Sequence, residues 1–304
     1  MVTNYLMLPH PALRPFVKDY VLATSCGKQV AYASQWPASD DITLMFYLRD
    51  EPTHDQGGTD CSLAGKRSYI TGLVTQYNGI VHFRGDYLMF LIKFKPDGFQ
   101  KLTRIPTSDI TNRMVWAEDV FGNFSKTLCE QLINAADTHE MASVCDRLFL
   151  SLLNRQKNAN LIANNISFIS NELNQTTQFL TVEEYARKAN MSVRNFERRF
   201  SEQAGLSPRP YIQLLRFNNV LKMKMLHPKK SWAAISGDCG YFDQMHMIRA
   251  FKRYSNQNPV AFFEQEKKFE RPSVNVFESD SITLGKLETN MQKENFKFVK
   301  RDEA

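Results

Sequence analysis

The spacing of hydrophobic positions changes near residue 115. Before it, short β-branched and aromatic runs at 42–48, 68–74, 79–83 and 87–94 are separated by Pro37, Gly57, Gly58, Gly72, Asn78, Gly79, Gly85, Pro96 and Gly98. Runs of that length between turn residues predict strands, and several at close spacing predict a small barrel or sandwich. After it, 118–134 and 139–154 contain no proline and repeat apolar residues every three or four positions. Phe121, Phe124, Leu128 and Leu132 form one stripe, and Val144, Leu148 and Leu152 the other. That period predicts two amphipathic helices. The polar stretch 155–160 reads as a linker, 161–269 as helices joined by short turns, and 271–304 as a poorly ordered, charged tail. The predicted fold class is α+β: a small β-barrel or sandwich with two following helices, then an all-α domain.

The helical third repeats itself. Thr181 matches Ser231, Ala186 matches Ser236 and Asn190 matches Gly240, all at an offset of 50. Beyond the turn the offset is 51: Arg198 matches Arg249, Phe200 matches Phe251, Gly205 matches Asn256, Pro208 matches Pro259 and Tyr211 matches Phe262. One residue inserted in the second turn accounts for the change. Each unit reads as helix–turn–helix. Thr181 with Glu184 is a capping box, and Ser192 is an N-cap for the next helix. Asn190 and Gly240 tolerate the positive φ of a tight turn, and Gly205 and Asn256 suit a helix C-terminus. Phe196 with Phe200, and Met247 with Phe251, predict the buried stripes, with Trp232 also core. The stretch 208–226 between the units predicts a long helix that sets their separation. Two such helices on one face could enter successive major grooves, about 34 Å apart.

Charge sharpens this reading. Residues 181–254 hold 14 Lys and Arg against six Asp and Glu, so this segment is +8 while the whole chain is +6 and the remainder −2. A basic module beside a near-neutral one points to a polyanion partner, here double-stranded DNA. The expected DNA contacts are Ser192, Arg194, Asn195, Glu197 and Arg198 on the first reading helix. On the second they are Gln244, Met245, His246, Arg249, Lys252 and Arg253. Arginine can pair bidentately with guanine and glutamate can accept from cytosine. Lys222, Lys224, Lys229 and Lys230 join Lys252 and Arg253 as expected phosphate contacts, which position without reading sequence. A solvated helix face is the plainer account of the same residues.

Catalysis finds little support. The six histidines (10, 54, 82, 139, 227 and 246) make no HxH or HExxH spacing, and GxSxG and P-loop motifs are missing. The cysteines at 26, 61, 129, 145 and 239 form no CxxC pair, so neither a disulfide framework nor a cysteine-rich zinc site is expected. No metal, cofactor or catalytic residue is expected. His82 reads as an ordinary half-buried histidine in a strand; Trp36, Tyr47, Tyr69 and Phe94 suit a pocket lining or the core equally. The opening MVTNYLMLPH is unlike a secretory signal, and no apolar run approaches a membrane span, so a cytoplasmic protein is expected.

The stretch GYFDQMHMIRAFKRYSNQNPVAFF, together with Arg216, resembles the AraC/XylS family of bacterial transcription regulators over about 161–269. The sequence departs from that pattern in three places. Phe242 stands where the family usually has a polar N-cap, Met245 replaces a small polar residue, and Ser255-Asn256 replaces Phe-Gly. HPALRPFVKDYVLATS, KFKPDGFQKL and the helices after Trp116 resemble a sensor domain found in many members. The resemblance implies an effector-sensing and dimerising domain over 1–155, with β-rich 1–115 and helical 118–154, and a DNA-binding domain over 161–270. It also implies a small-molecule effector, a homodimer, activation of transcription and RNA polymerase as a further partner. Two alternatives stand beside it. One is a protein-interaction module, or a regulator without a small-molecule ligand. The other is a DNA-repair enzyme sharing the helical domain, which would need a reactive cysteine in a Pro-Cys-His context that none of the five cysteines has.

Overall fold

The computed structural model describes residues 3–55, 67–155 and 165–268. The expected linker beyond Arg155 and the tail 271–304 lie outside the described residues.

The β-rich half contains β1 (Thr3–Met7), β2 (Val17–Thr24), β3 (Val30–Gln35), β4 (Ile42–Tyr47), β5 (Thr53–His54), β6 (Ser68–Thr71), β7 (Ile80–Gly85) and β8 (Leu88–Phe94). A short helix α1 (Gly98–Thr103), a 3-10 turn at Thr107–Ile110 and strand β9 (Met114–Trp116) follow. The strands form two open antiparallel sheets, ordered β1-β2-β8-β4-β6-β9 and β3-β7-β5. The expectation of a barrel or sandwich resolves as the sandwich: β1 and β9 remain edges of the large sheet, so no barrel closes. Strand β8 shows why this half folds. Leu88, Phe90, Ile92 and Phe94 are buried and alternate with half-buried Met89, Leu91 and Lys93. Phe90 lies opposite Leu22 on one side and Phe46 on the other.

The predicted helix over 118–134 is two helices, α2 (Ala117–Phe121) and α3 (Asn123–Asn134), because Gly122 at φ 56° turns the chain between them. Helix α4 (Thr138–Arg155) matches its expected span closely. The apolar stripes of α3 and α4 face their own domain. Leu128, Leu132, Val144 and Phe149 are buried, and the Phe149 ring meets Phe94 edge-on at 6.1 Å and Phe124 at 5.2 Å. These stripes therefore need no second copy of the chain to cover them.

The second half is helical: α5 (Asn165–Gln175), α6 (Val182–Lys188), α7 (Val193–Ala204), α8 (Pro208–Leu226), α9 (Trp232–Asp238), α10 (Gln244–Ser255) and α11 (Pro259–Lys268). The β-rich half grips it at the ends of several helices. Thr107 Oγ1 donates to the Gln203 carbonyl at 2.8 Å, and Thr111 Oγ1 to the Gly205 carbonyl at 2.9 Å, both at the C-terminus of α7. The Ala38 amide donates to the Tyr254 carbonyl of α10 at 3.0 Å, and Gln35 Nε2 to the Phe262 carbonyl of α11 at 3.2 Å. The Gln203, Gly205 and Tyr254 carbonyls lie at helix C-termini and lack helical partners, so Thr107, Thr111 and Ala38 supply groups those helices need, while Gln35 meets the first turn of α11. Between the two grips, Asn218 of α8 donates to Asp40 Oδ1 at 2.8 Å.

Candidate nucleic-acid interface

The two repeated units are built by the same local rules. In the first, Thr181 Oγ1 accepts from the Glu184 amide at 3.2 Å and Glu184 Oε2 accepts from the Thr181 amide at 2.8 Å, completing the expected capping box. Asn190 then takes φ 53°, the Met191 amide reaches back to the Ala186 carbonyl at 3.0 Å, and Ser192 caps α7. In the second, Ser231 caps α9, Gly240 takes φ 72°, and the Tyr241 amide reaches back to the Ser236 carbonyl at 3.0 Å. Gly205 and Asn256 end α7 and α10 in the left-handed conformation, as their residue types predict. Phe196, Phe200, Met247 and Phe251 are all buried. Trp232 is half-buried, with its ring 5.7 Å from Phe263.

One expectation is corrected. Phe242 does not stand at the N-cap of the second reading helix. Asp243 does, and its Oδ1 accepts from the His246 amide at 2.6 Å. A carboxylate at this end also meets the positive pole of the helix. Aligning the backbones identifies the inserted residue. Asn190, Met191 and Ser192 correspond to Gly240, Tyr241 and Asp243, which leaves Phe242 as the extra one.

The reading helices present unlike faces. On α7, Arg194, Glu197 and Arg198 are exposed, Ser192 is exposed, and Asn195 is half-buried. The Arg198 guanidinium is held on its own helix, donating to Glu202 Oε1 at 2.8 Å and Asn195 Oδ1 at 3.1 Å. On α10, Gln244, Met245, His246, Arg249, Lys252 and Arg253 are all exposed. The tip of this face is apolar, with Phe242 94% and Met245 61% exposed.

Not every expected cation is free. Lys224 Nζ donates to the Lys230 carbonyl at 2.8 Å and sits 4.7 Å over the Trp232 ring; Lys230 pairs with Asp238. Arg216 of α8 lies 5.3 Å over the Phe179 ring, and a Cβ added at Gly240 would lie 3.6 Å from its Nε, so the long helix reaches both the first unit's approach loop and the second unit's turn. Sequence reasoning placed Arg216 by resemblance alone; nothing in the periodicity marks that reach. It also missed Glu202, whose i, i+4 spacing from Arg198 was the available signal.

Electrostatics concentrate where the β-rich half meets α8. Burial alone would raise the Asp41 carboxyl, but Lys93 at 2.8 Å and Lys18 at 3.7 Å overcome it and hold it well below the usual carboxylate range. Neighbouring Asp40 goes the other way: burial and then the Asp41 charge raise it, against the opposing pull of Lys222 and Lys18.

Of the residues expected to line a pocket or join the core, Tyr47, Tyr69 and Phe94 are core. Trp36 lines a cavity of about 200 Å³ with Thr71, Gln76, Asn78, Asn112 and Arg113. His82 is half-buried, its Nε2 2.7 Å from Asp55. Burial pushes the Cys129 and Cys239 thiols up to about 11 and the Cys145 thiol up as well, so none of these three is a ready nucleophile. Among the described residues, no cluster of His, Cys, Asp and Glu could hold a metal, and no helix is long and apolar enough to cross a membrane.

Comparison with known proteins places this geometry. Residues 185–265 match a helix-turn-helix domain family and residues 5–116 a domain of unknown function (DUF6597). The transcriptional activator RhaS of Citrobacter koseri is 28% identical over 145 residues, 44% of this chain and 51% of the relative. The match thus spans about half the length of that relative. Among solved structures, the DNA-binding domain of AdpA in complex with target DNA shares 22% identity at a TM-score of 0.34, covering 36% of this chain and 99% of that one. Apo ToxT of Vibrio cholerae shares 12% identity at a TM-score of 0.42, covering 88% and 97%. The chain thus carries a helix-turn-helix domain over 185–265 and, in front of it, a domain whose function is unknown.

Proposed function

We propose that the chain is a regulator that binds duplex DNA sequence-specifically through α7 and α10 and acts on transcription, in the direction of activation. The observation that carries this reading is the pairing of two capped, exposed reading helices on one long helix within a segment of +8. The kinship with RhaS, named a transcriptional activator, supports it. The contact set is Ser192, Arg194, Asn195, Glu197 and Arg198 with Gln244, Met245, His246, Arg249, Lys252 and Arg253. A homodimer, a cytoplasmic location and RNA polymerase as a partner complete the proposal.

The N-terminal half is proposed to answer a small-molecule effector. The cavity beside Trp36 supports this by its position. Asn112 and Arg113 follow Thr111, which grips α7, and Trp36 follows Gln35, which grips α11. At about 200 Å³ it suits only a small ligand.

The test is binding of the full chain to duplex DNA at increasing salt. Displacement of six to ten phosphate counterions corresponds to a loss of about 10³–10⁵ in affinity between about 50 and 200 mM salt. A folded chain that ignores duplex at low salt overturns the proposal and leaves the protein-interaction reading in its place.

A further inference from the structure

We infer that the second reading helix recognises thymine through its 5-methyl group, with Phe242 and Met245 as the specificity-determining side chains. The inference rests on the DNA-binding reading above and adds the chemistry of one half-site.

The argument starts from the inserted residue. Gly240 and Tyr241 repeat the backbone roles of Asn190 and Met191: a positive φ, then an amide that reaches back five residues. Met191 and Tyr241 turn inward, half-buried and buried respectively. The extra residue has no place in that scheme. It is pushed out ahead of the Asp243 cap, and it is a phenylalanine 94% exposed. Met245, 61% exposed, stands three residues on, where the first unit has Arg194. Met245, Arg249 and Lys252 follow one another at spacings of four and three, so they share one face of the helix, and Phe242 stands just ahead of its N-terminus. That face is graded: apolar at the tip, cationic from Arg249 onward.

A helix docked in the major groove contacts base edges with its N-terminal residues. Here Phe242 and Met245 put two exposed apolar side chains among polar Gln244 and His246, and the apolar feature of the base edges they would meet is the thymine methyl. Asp243 has its Oδ1 engaged by the His246 amide, and the His246 ring lies edge-on to Tyr241 at 5.3 Å. Arg249, Lys252 and Arg253 supply the cations that draw this apolar tip to the duplex and seat it. The charge beside the patch thus selects nucleic acid as its occupant.

The experiment uses the full chain. Sites are selected from random duplexes. Each thymine in the recovered site is then replaced singly by uracil, which keeps every hydrogen-bonding group and lacks only the methyl. Wild type should enrich thymine in one half-site and bind each critical uracil duplex about fourfold more weakly, the equivalent of one lost buried methyl. Phe242→Ala and Met245→Ala should each bind thymine and uracil duplexes alike at one of those positions. Phe242→Leu should retain the preference, while Arg198→Ala should leave the thymine-to-uracil ratio unchanged. Because both side chains are exposed, these variants leave the core intact. Equal binding of thymine and uracil by wild type overturns the inference but not DNA binding. So does Phe242→Ala that leaves base preference intact and instead loses a protein partner. A chain that binds no duplex sinks the DNA-binding reading and this inference together.

Discussion

The two helix–turn–helix units share a scaffold and differ at the tip. Both close their turn with a residue at positive φ, cap the reading helix with a short polar side chain and bury an aromatic four residues after a large apolar one. The first then offers Arg194, Glu197 and Arg198; the second offers Phe242, Met245 and Arg249. A shared frame under unlike surfaces is what a repeat shows when its halves fold alike and only the exposed residues differ.

The largest expected effect tests the shared frame. Phe200→Ala and Phe251→Ala should each cost about 3–5 kcal/mol, because Phe200 packs on Tyr211 at 5.3 Å and Phe251 on Phe217 at 5.1 Å. Denaturant titration of both variants checks this, and a cost confined to one unit breaks the equivalence.

Next comes the reading role. Arg198→Ala should lose about 1–3 kcal/mol of preference for the selected site over scrambled duplex. Lys252→Ala should weaken both alike. Competition binding at fixed salt decides between them. If Arg198→Ala lowers both affinities equally while Arg249→Ala erases the preference, the ranking of the two heads is inverted.

The caps sharpen the comparison at a smaller scale. Asp243 accepts from its helix at 2.6 Å and Ser192 at 3.4 Å. Either change to Ala should cost about 0.5–2 kcal/mol, with Asp243→Ala the costlier because its charge also meets the helix dipole. Thermal unfolding of the two variants side by side tests the order.

The smallest effect concerns pH at the contact that holds α8. Because the folded-state carboxyl of Asp40 is raised, its favourable contribution is full below the ordinary carboxylate pKa and is lost as pH rises through the raised value. Asp40→Asn can keep the acceptor for Asn218 and removes the charge. Its melting temperature should exceed wild type near about pH 7 and converge with it near about pH 4. A gap that widens toward acid reverses the sign and refutes the assignment.

How much of this was legible follows from the physics. Caps, buried stripes and positive-φ positions are local, so Thr181, Ser192, Gly205 and Asn256 carry their roles in their residue types. The inserted residue was countable from the shift in offset, yet its identity needed the backbone, because Phe242 and Asp243 could each have filled the cap. The grip of Thr107, Thr111, Gln35 and Ala38 on distant helix ends left no trace, since isolated polar side chains and amides meeting carbonyls some 90 to 230 residues away have no period. Strands β1, β2 and β3 escaped individual prediction for a related reason. Val17–Thr24 buries residues on both faces and so shows no clean alternation.

Gly205 answers to two demands at once. It ends α7 at φ 89°, and a Cβ there would collide with Leu73, Thr107 and Thr111 of the β-rich half. Its counterpart Asn256 meets only the first demand and is exposed. The halves of the repeat are therefore not interchangeable parts. A second-unit sequence transplanted into the first position would bring an asparagine that turns correctly yet blocks the neighbouring domain. The position that seats the front domain has no room for a side chain, and its twin, open to solvent, does.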